Sequence, residues 1–299
     1  MHIEEDLFVP GNSLYIDGNS LKTTDGKSKH SIVGVSVEAG GYYEGTGYAA
    51  IFKSITGFYQ ISANKVLVVD RGNHCIRLVN RSTNTTQAFV GLCTVTSYKD
   101  GRDTNARFNN PHSIIPDKLN PGSLLITEYL NQAIRQLTIQ SKIVSTFLQY
   151  TNDQFHPRGI CQQSETGNLF VSSPTYISKI DYHRKAVVVY MAGQSSRGNK
   201  YGRFADTYFT DLQEVLLISN DTKLLAADKG YQIKTLDMAS SRSSHICKHY
   251  GHTDGKHPSC NVKNPYALTV IGNTLYIGEN QRIRIIQGNF TFAMAIILQ

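Results

Sequence analysis

The chain has 299 residues, with 30 Lys and Arg against 23 Asp and Glu, a formal net charge of +7 and an isoelectric point near 9.0. A charged fraction of 18%, with 24 glycines and 40% hydrophobic residues, excludes a disordered chain and supplies a large core. The basic balance points to an anionic partner, and the apolar run Phe290 to Leu298 is too short to span a bilayer, so no direct membrane insertion by this chain is expected.

Taken in chain order, Met1 to Asp6 is acidic and polar, unlike a secretory signal. The chain therefore reads as a mature secreted domain or ectodomain fragment, or, as the alternative, a cytoplasmic protein. Short apolar stretches follow one another, such as 65–69, 123–127 and 186–190. They are rich in β-branched and aromatic residues and bounded by Gly, Asn, Pro or Asp, which predicts strand after strand and no confident helix. One phrase recurs. Leu67-Val68-Val69-Asp70-Arg71-Gly72-Asn73-His74-Cys75-Ile76-Arg77 returns at Leu125 to Arg135 and, shortened, at Leu225 to Lys234 and Leu275 to Arg284. Worn copies lie at Leu14 to Lys22 and at Leu169 to Ser173 running into Tyr176 to Ile180. The spacing averages about 52 residues, the period of a strand-turn-strand unit repeated radially. Each unit opens on a Pro or Gly before a first strand (Pro111, Pro157, Pro265), and its outer strand ends at Gly91, Gly193 or Gly251. The expectation is an all-β, six-bladed β-propeller with four-stranded antiparallel blades, forming one domain over 1–299.

The Asp, Asn-His and Ile-Arg positions in this order resemble the NHL-repeat family of six-bladed propellers. The fit is close over 58–149, clear over 204–287 and weak over 155–193 and the first 50 residues. The resemblance implies a fold and leaves function open, since the family spans RNA-binding domains and adhesion modules and has a zinc-dependent peptidyl-hydroxyglycine lyase with a related propeller. Lys stands for the third-strand Arg at Lys234 and is expected to do so at Lys179; the acid is missing at Ser173.

Asp70 with Arg77, Glu128 with Arg135 and Glu279 with Arg284 are expected to bridge adjacent strands as structural ion pairs, with a ring of ligand-binding arginines as the alternative. Of the five cysteines, Cys75 with Cys93 and Cys247 with Cys260 are close enough to staple a blade to its exit loop, leaving Cys161 as a buried thiol. Asn80, Asn84 and Asn289 are N-glycosylation acceptors. Staples and sequons together favour an extracellular or luminal address.

Where first strands begin, Tyr59, Asn110, His112, His156, Arg158, Asn264 and Tyr266 form a candidate binding face, or merely a polar channel mouth. The longest links carry Tyr98, Arg102, Arg107, Arg197, Tyr201 and Arg203, candidate interface residues. His112 and His156 could imitate two zinc ligands, but a third is missing, and the His245, His249, His252 and His257 cluster lies in an outer strand and its exit loop. No cofactor is expected. The favoured function is non-catalytic extracellular recognition of an acidic protein or anionic glycan. The alternatives are cytosolic single-stranded RNA binding on a basic face and a zinc-dependent lyase-like enzyme at the channel mouth.

Overall fold

The computed structural model of the chain describes residues 13–17, 20–24, 29–34, 40–151, 155–230, 232–247, 249–250, 261–271, 274–279 and 282–287. Among these, the secondary structure is β-strand interrupted by three-residue 3-10 turns. The chain divides into two compact units, Met1–Arg158 and Gly159–Gln299.

The first unit holds two blades. In the first, Ile55–Ser62, Lys65–Asp70, Cys75–Asn80 and Thr85–Val90 run as an antiparallel meander, and Gly45–Thr46 adds a fifth strand on the outside. The second repeats this with Pro111–Pro116, Ser123–Glu128, Ala133–Thr138 and Ile143–Gln149, with Gly101–Arg102 outermost. The second unit holds a third blade of Ile160–Gln162, Leu169–Ser173, Tyr176–Asp181 and Ala186–Gly193, and a fourth of Leu212–Ile218, Lys223–Asp228, Gln232–Asp237 and Arg242–Cys247.

Among the described residues the fold is thus an all-β propeller with four blades of four or five strands, not the six four-stranded blades that the repeat count suggests. The repeats at either end build three-stranded sheets, Ser13–Asp17 with Ser20–Thr24 and Lys29–Val33, and Ala267–Ile271 with Thr274–Glu279 and Arg282–Gln287. The reason is that the recurring phrase specifies only the two middle strands of a blade. An outer strand must come from flanking sequence, so counting phrases overcounts blades. The closing strand expected at Phe290 to Leu298 lies outside the described residues.

The middle strands are buried on both faces, which is why their apolar residues run consecutively. In the first unit Val66 and Val68 pack with Val33, Phe52 and Ile55, while Leu67 and Val69 point the other way to Ile76, Phe108 and Ile126. In the second, Leu224 and Ala226 join Phe170, Ile177 and Phe209, and Leu225 and Ala227 join Val270, Leu275 and Ile277. Each such Val or Leu contributes about 1.5–3 kcal/mol of burial. Between third and outer strands the register slips at Ile76/Arg77, Ile134/Arg135, Ile177/Ser178 and Ile233/Lys234. One bulge per blade therefore falls next to the position that usually carries a cation.

Two glycines end outer strands where nothing larger fits. Gly91 has φ +87, and a Cβ there would lie 2.7 Å from the Phe108 ring. Gly193 has φ +115, and its Cβ would collide with the Thr175 carbonyl oxygen. Beyond Gly91, Cys93 is bonded to Cys75, tying the exit link to the start of the third strand. Cys161 is buried and forms no disulfide, and the Cys247–Cys260 pairing lies outside the described residues. Reducing the Cys75–Cys93 bond, which spans 18 residues, is expected to cost about 3 kcal/mol, measured as a drop in denaturation midpoint on adding a thiol reductant, with a Cys75→Ser/Cys93→Ser double variant insensitive to it.

Candidate functional site

The acid and the cation of each repeat form a clamp beneath the turn. Asp70 and Arg77 are fully buried and meet at 3.1 Å. Asp70 also accepts the Lys53 backbone N–H at 2.9 Å and the Asn73 side-chain amide at 2.8 Å. Arg77 donates onward to the carbonyls of Ile51 at 2.6 Å and Tyr43 at 2.7 Å, between the rings of Tyr42 and Phe52. The second blade repeats every part. Glu128 bonds Arg135 at 2.7 Å, the Asn109 N–H at 2.8 Å and the Asn131 amide at 2.9 Å. Arg135 reaches the Arg107 and Lys99 carbonyls, each at 3.1 Å, and Asp100 at 2.6 Å, against the rings of Tyr98 and Phe108. Each arginine thereby holds the link that enters its own blade.

The fourth blade keeps a reduced form, Lys234 to Asp228 at 2.7 Å over Phe209, with Asp228 accepting the Thr210 and Asp211 N–H groups. In the last sheet Glu279 accepts the Lys263 N–H at 2.7 Å, and Arg284 stands opposite Ile277 in the ladder, with its side chain outside the described residues. The third blade departs. Val171, two residues before Ser173, pairs with Ser178, as Val68 pairs with Arg77. The residue in the cation's place is therefore Ser178 and not Lys179, because the turn before Tyr176 is shorter than in the other three blades. Both members of the pair are serine here, each fully buried.

Burial dominates the titration of these acids. It pushes the Asp70 carboxyl from 3.8 up to about 6, against the pull of Asn73 and Arg77, and it raises Glu128 in the same way despite Arg135. Lys234 is pushed down by burial, with Asp228 opposing.

The candidate face divides. Tyr59 packs on the blade core and lines a cavity of about 570 Å³ with Ile61, Pro116 and Leu124, whereas the neighbouring His112 lies with its carbonyl beside Gly57, two residues before Tyr59. Within the first unit, Arg71, His112, Tyr129, His156 and Arg158 do converge. His112 is 7% exposed, and burial, then the charges of Arg71 and Arg158, hold its imidazole neutral, well below the usual range. The Arg158 guanidinium sits 5.3 Å from the Tyr129 ring. The His156 ring lies 5.0 Å from the same ring, and its Nδ1 donates to the Tyr129 carbonyl at 3.2 Å. Asn110, at φ 60, donates its N–H to Nδ1 of His74. In the second unit Asn264 lies at φ 49, and Tyr266 is covered by Lys229 at 4.8 Å.

A rule missed by the sequence analysis emerges. The residue after the acid (Arg71, Tyr129, Lys229) answers to the residue after the proline just before the next first strand (His112, Arg158, Tyr266): Arg158 lies over Tyr129 and Lys229 over Tyr266, and the charge of Arg71 acts on the His112 imidazole. Aligning the repeats on the acid and on the proline together would have exposed it.

The interface loops are more structural than expected. Tyr98 hydrogen-bonds Thr146 at 2.7 Å besides stacking on Arg135. Arg107 donates to the Thr104 and Ala106 carbonyls. Arg102 is exposed beside Asp103. Arg197 donates to the Thr210 carbonyl, Tyr201 stacks on His245, and Arg203 bridges to Arg242. Of the glycosylation acceptors, Asn80 is half-buried and bonds Ser82, Asn84 is exposed on the following turn, and Asn289 lies outside the described residues. His252 and His257 also lie outside them. Among the described residues no three His, Cys, Asp or Glu side chains are placed to hold a metal ion.

Fold and site define a β-propeller, and solved structures agree. The chain is similar to a protein of unknown function from Bacteroides thetaiotaomicron (15% identical, covering 94% of this chain and 86% of that one, TM-score 0.51). It is similar to a chain of a nidogen/laminin complex (13%, 88% and 83%, TM-score 0.56) and to a streptogramin B lyase (11%, 95% and 96%, TM-score 0.56). At such identities the likeness establishes the fold alone. No protein-family model matches the chain, and no curated protein matches it. The resemblance to NHL repeats is therefore not upheld as membership. Its Asp, Asn and Arg positions are what the clamp itself requires, so the pattern reports blade construction.

Two outcomes test the clamp. Arg135→Ala leaves Glu128 buried without its counter-ion and is expected to destabilise the chain by ~3–5 kcal/mol in chemical denaturation. Because the native Asp70 carboxyl titrates at about 6 and the unfolded one at 3.8, its own contribution to stability is full below 3.8 and is lost as pH rises through 6. Wild type should accordingly gain stability relative to Asp70→Asn as pH falls through that window, measured by melts of both proteins across it.

Proposed function

We propose that the chain is a non-catalytic recognition module that binds an acidic partner, a protein surface or an anionic glycan, in an extracellular or luminal setting. The observation that carries this is the recurring basic–aromatic junction, Arg158 with Tyr129 and Lys229 with Tyr266. Tyr129, Arg158, Lys229 and Tyr266 are half-buried, and each junction fixes a cation next to a ring. Arg and Tyr in such surroundings are the side chains that dominate interface energetics. With His112 held neutral, the positive charge comes from Arg71 and Arg158, and the net charge of +7 favours encounter with an anion. The Cys75–Cys93 bond supports an oxidising compartment, as does the exposed acceptor Asn84. A propeller is a scaffold that suits such a role, holding binding groups on rigid blades.

The test is salt-dependent binding to three probes, poly-glutamate, heparin and single-stranded RNA, by wild type and by Arg158→Glu and Lys229→Glu variants with unchanged melting profiles. Binding to poly-glutamate or heparin, weakened about ten-fold or more by either variant, is expected. Tight binding to RNA alone, or binding indifferent to both substitutions, would overturn it.

A further inference from the structure

Among the described residues the third blade lacks something the other three possess. In the first blade Gly45–Thr46 pairs antiparallel with Thr85 and Thr86; in the second Gly101–Arg102 pairs with Ile143 and Val144. In the fourth, Arg203 bridges to Arg242. All three partners open the outer strand of their blade, directly after a residue in the left-handed region, Asn84, Lys142 or Ser241. The third blade has the same geometry, with Lys185 at φ 49 followed by Ala186, but among the described residues its sheet ends at Ala186–Gly193. In sequence, the links that lead to Phe52, Phe108 and Phe209 run over 34–51, 91–107 and 194–208, whereas the one that leads to Phe155 is 150–154.

That edge has a defined chemistry. Val188 and Val189 are 56% and 46% exposed. A cavity of about 520 Å³ runs alongside, lined by Val189 and Met191 on the strand and by Arg203, Phe204 and Arg242 opposite. Arg184 and Lys185 stand at the strand's start. These four basic groups outnumber the nearby acids, Asp181, which pairs with Arg184, and Asp206 in the adjoining 3-10 turn. A second register shift, between Lys179 and Ile180, bends the strand, so the ladder on offer is short, as the fifth strands of the other blades are.

We propose that this edge takes an extended, acidic segment of a partner protein as the missing fifth strand, antiparallel to Ala186–Val187, with β-branched side chains entering the cavity and carboxylates meeting Arg203 and Arg242. The mode is strand addition, in which backbone hydrogen bonds supply affinity and flanking pockets supply selectivity. A second copy of this chain would bring a net charge of +7 against the same basic edge. The surface is separate from the basic–aromatic junctions, and shares with the recognition reading only the acidic character of the partner.

The experiment is hydrogen exchange and binding with the synthetic peptide Asp-Glu-Val-Thr-Val-Thr-Val-Glu-Asp, against a control of the same core flanked by lysines. The acidic peptide is expected to slow exchange across 186–193 by about ten-fold or more. Val188→Lys and Arg242→Glu should each weaken binding by a similar factor, while Val188→Thr leaves it unchanged. No protection of 186–193, equal binding of the lysine-flanked control, or protection that appears without peptide as protein concentration rises would overturn the proposal. Loss on Arg158→Glu with Val188→Lys unaffected would also overturn it while supporting the recognition reading; binding intact in Arg158→Glu but lost in Val188→Lys would support the edge alone.

Discussion

The buried carboxylate–arginine clamp is the interaction on which the blades depend. A carboxylate at the end of a middle strand, fully enclosed, is costly unless every oxygen is met. Asp70 and Glu128 meet that demand with a cation from the third strand, a side-chain amide from the turn and a backbone N–H from the incoming link. The arginine's Nη groups also donate to carbonyls of the same link. Three segments with no ladder in common are thus fixed at one point. The net contribution of such a pair to stability is small or negative compared with an apolar core; what it supplies is a unique register for the turn and a fixed landing place for the link. Raised carboxyl titration at Asp70 and Glu128 is the mark of that burial.

From the clamp follows the candidate site. Fixing the acid fixes the residue after it, and fixing the backbone N–H that the acid accepts fixes the start of the next chain segment. Arg71, Tyr129 and Lys229 occupy the first position. His112, Arg158 and Tyr266 occupy the corresponding place after the proline just before the next first strand. In two of these places the chain sets a basic group over a ring, Arg158 on Tyr129 and Lys229 on Tyr266, and in the third the charge of Arg71 acts on the His112 imidazole. The recurring element is geometry; the variable element is which of the two positions carries the charge.

Much of the fold was legible because blade construction needs particular residues at particular spacings. The alternation of buried side chains across Lys65–Asp70 and Ser123–Glu128, the acid at the strand end and the third-strand arginine all leave an imprint in sequence. Blade number did not, because outer strands such as Thr85–Val90 are half-exposed and carry no fixed residue. Lys179 was misplaced for a related reason. Counting forward from the acid fails once the turn shortens, and ladder pairing puts Ser178 opposite Val171. Of the candidate face, His112, His156 and Arg158 come together, but Tyr59 points into a separate cavity, since first strands carry side chains on both faces. The cation–ring junctions join residues from neighbouring sheets, a relation that no single repeat displays.

The third blade shows that clamp and link are parts of one device. Where the link is long, an arginine is present with carbonyls to receive its donors, and a two-residue fifth strand forms. Where lysine stands in the arginine's place, the link makes a single bridge, Arg203 to Arg242. Where the link shrinks to 150–154, both charged partners are serine. An arginine at Ser178 with a serine at 173 would be a buried cation without its carboxylate, and an aspartate at 173 alone would lack its counter-ion, so the two positions are expected to change as a pair. Two small side chains carry a modest desolvation cost in place of a large one. The blade that lacks the charged pair is also the one whose outer strand, Ala186–Gly193, has no fifth strand among the described residues, and the apolar residues on that edge, Val188 and Val189, are what a strand awaiting a partner would carry rather than the charges that usually protect an edge.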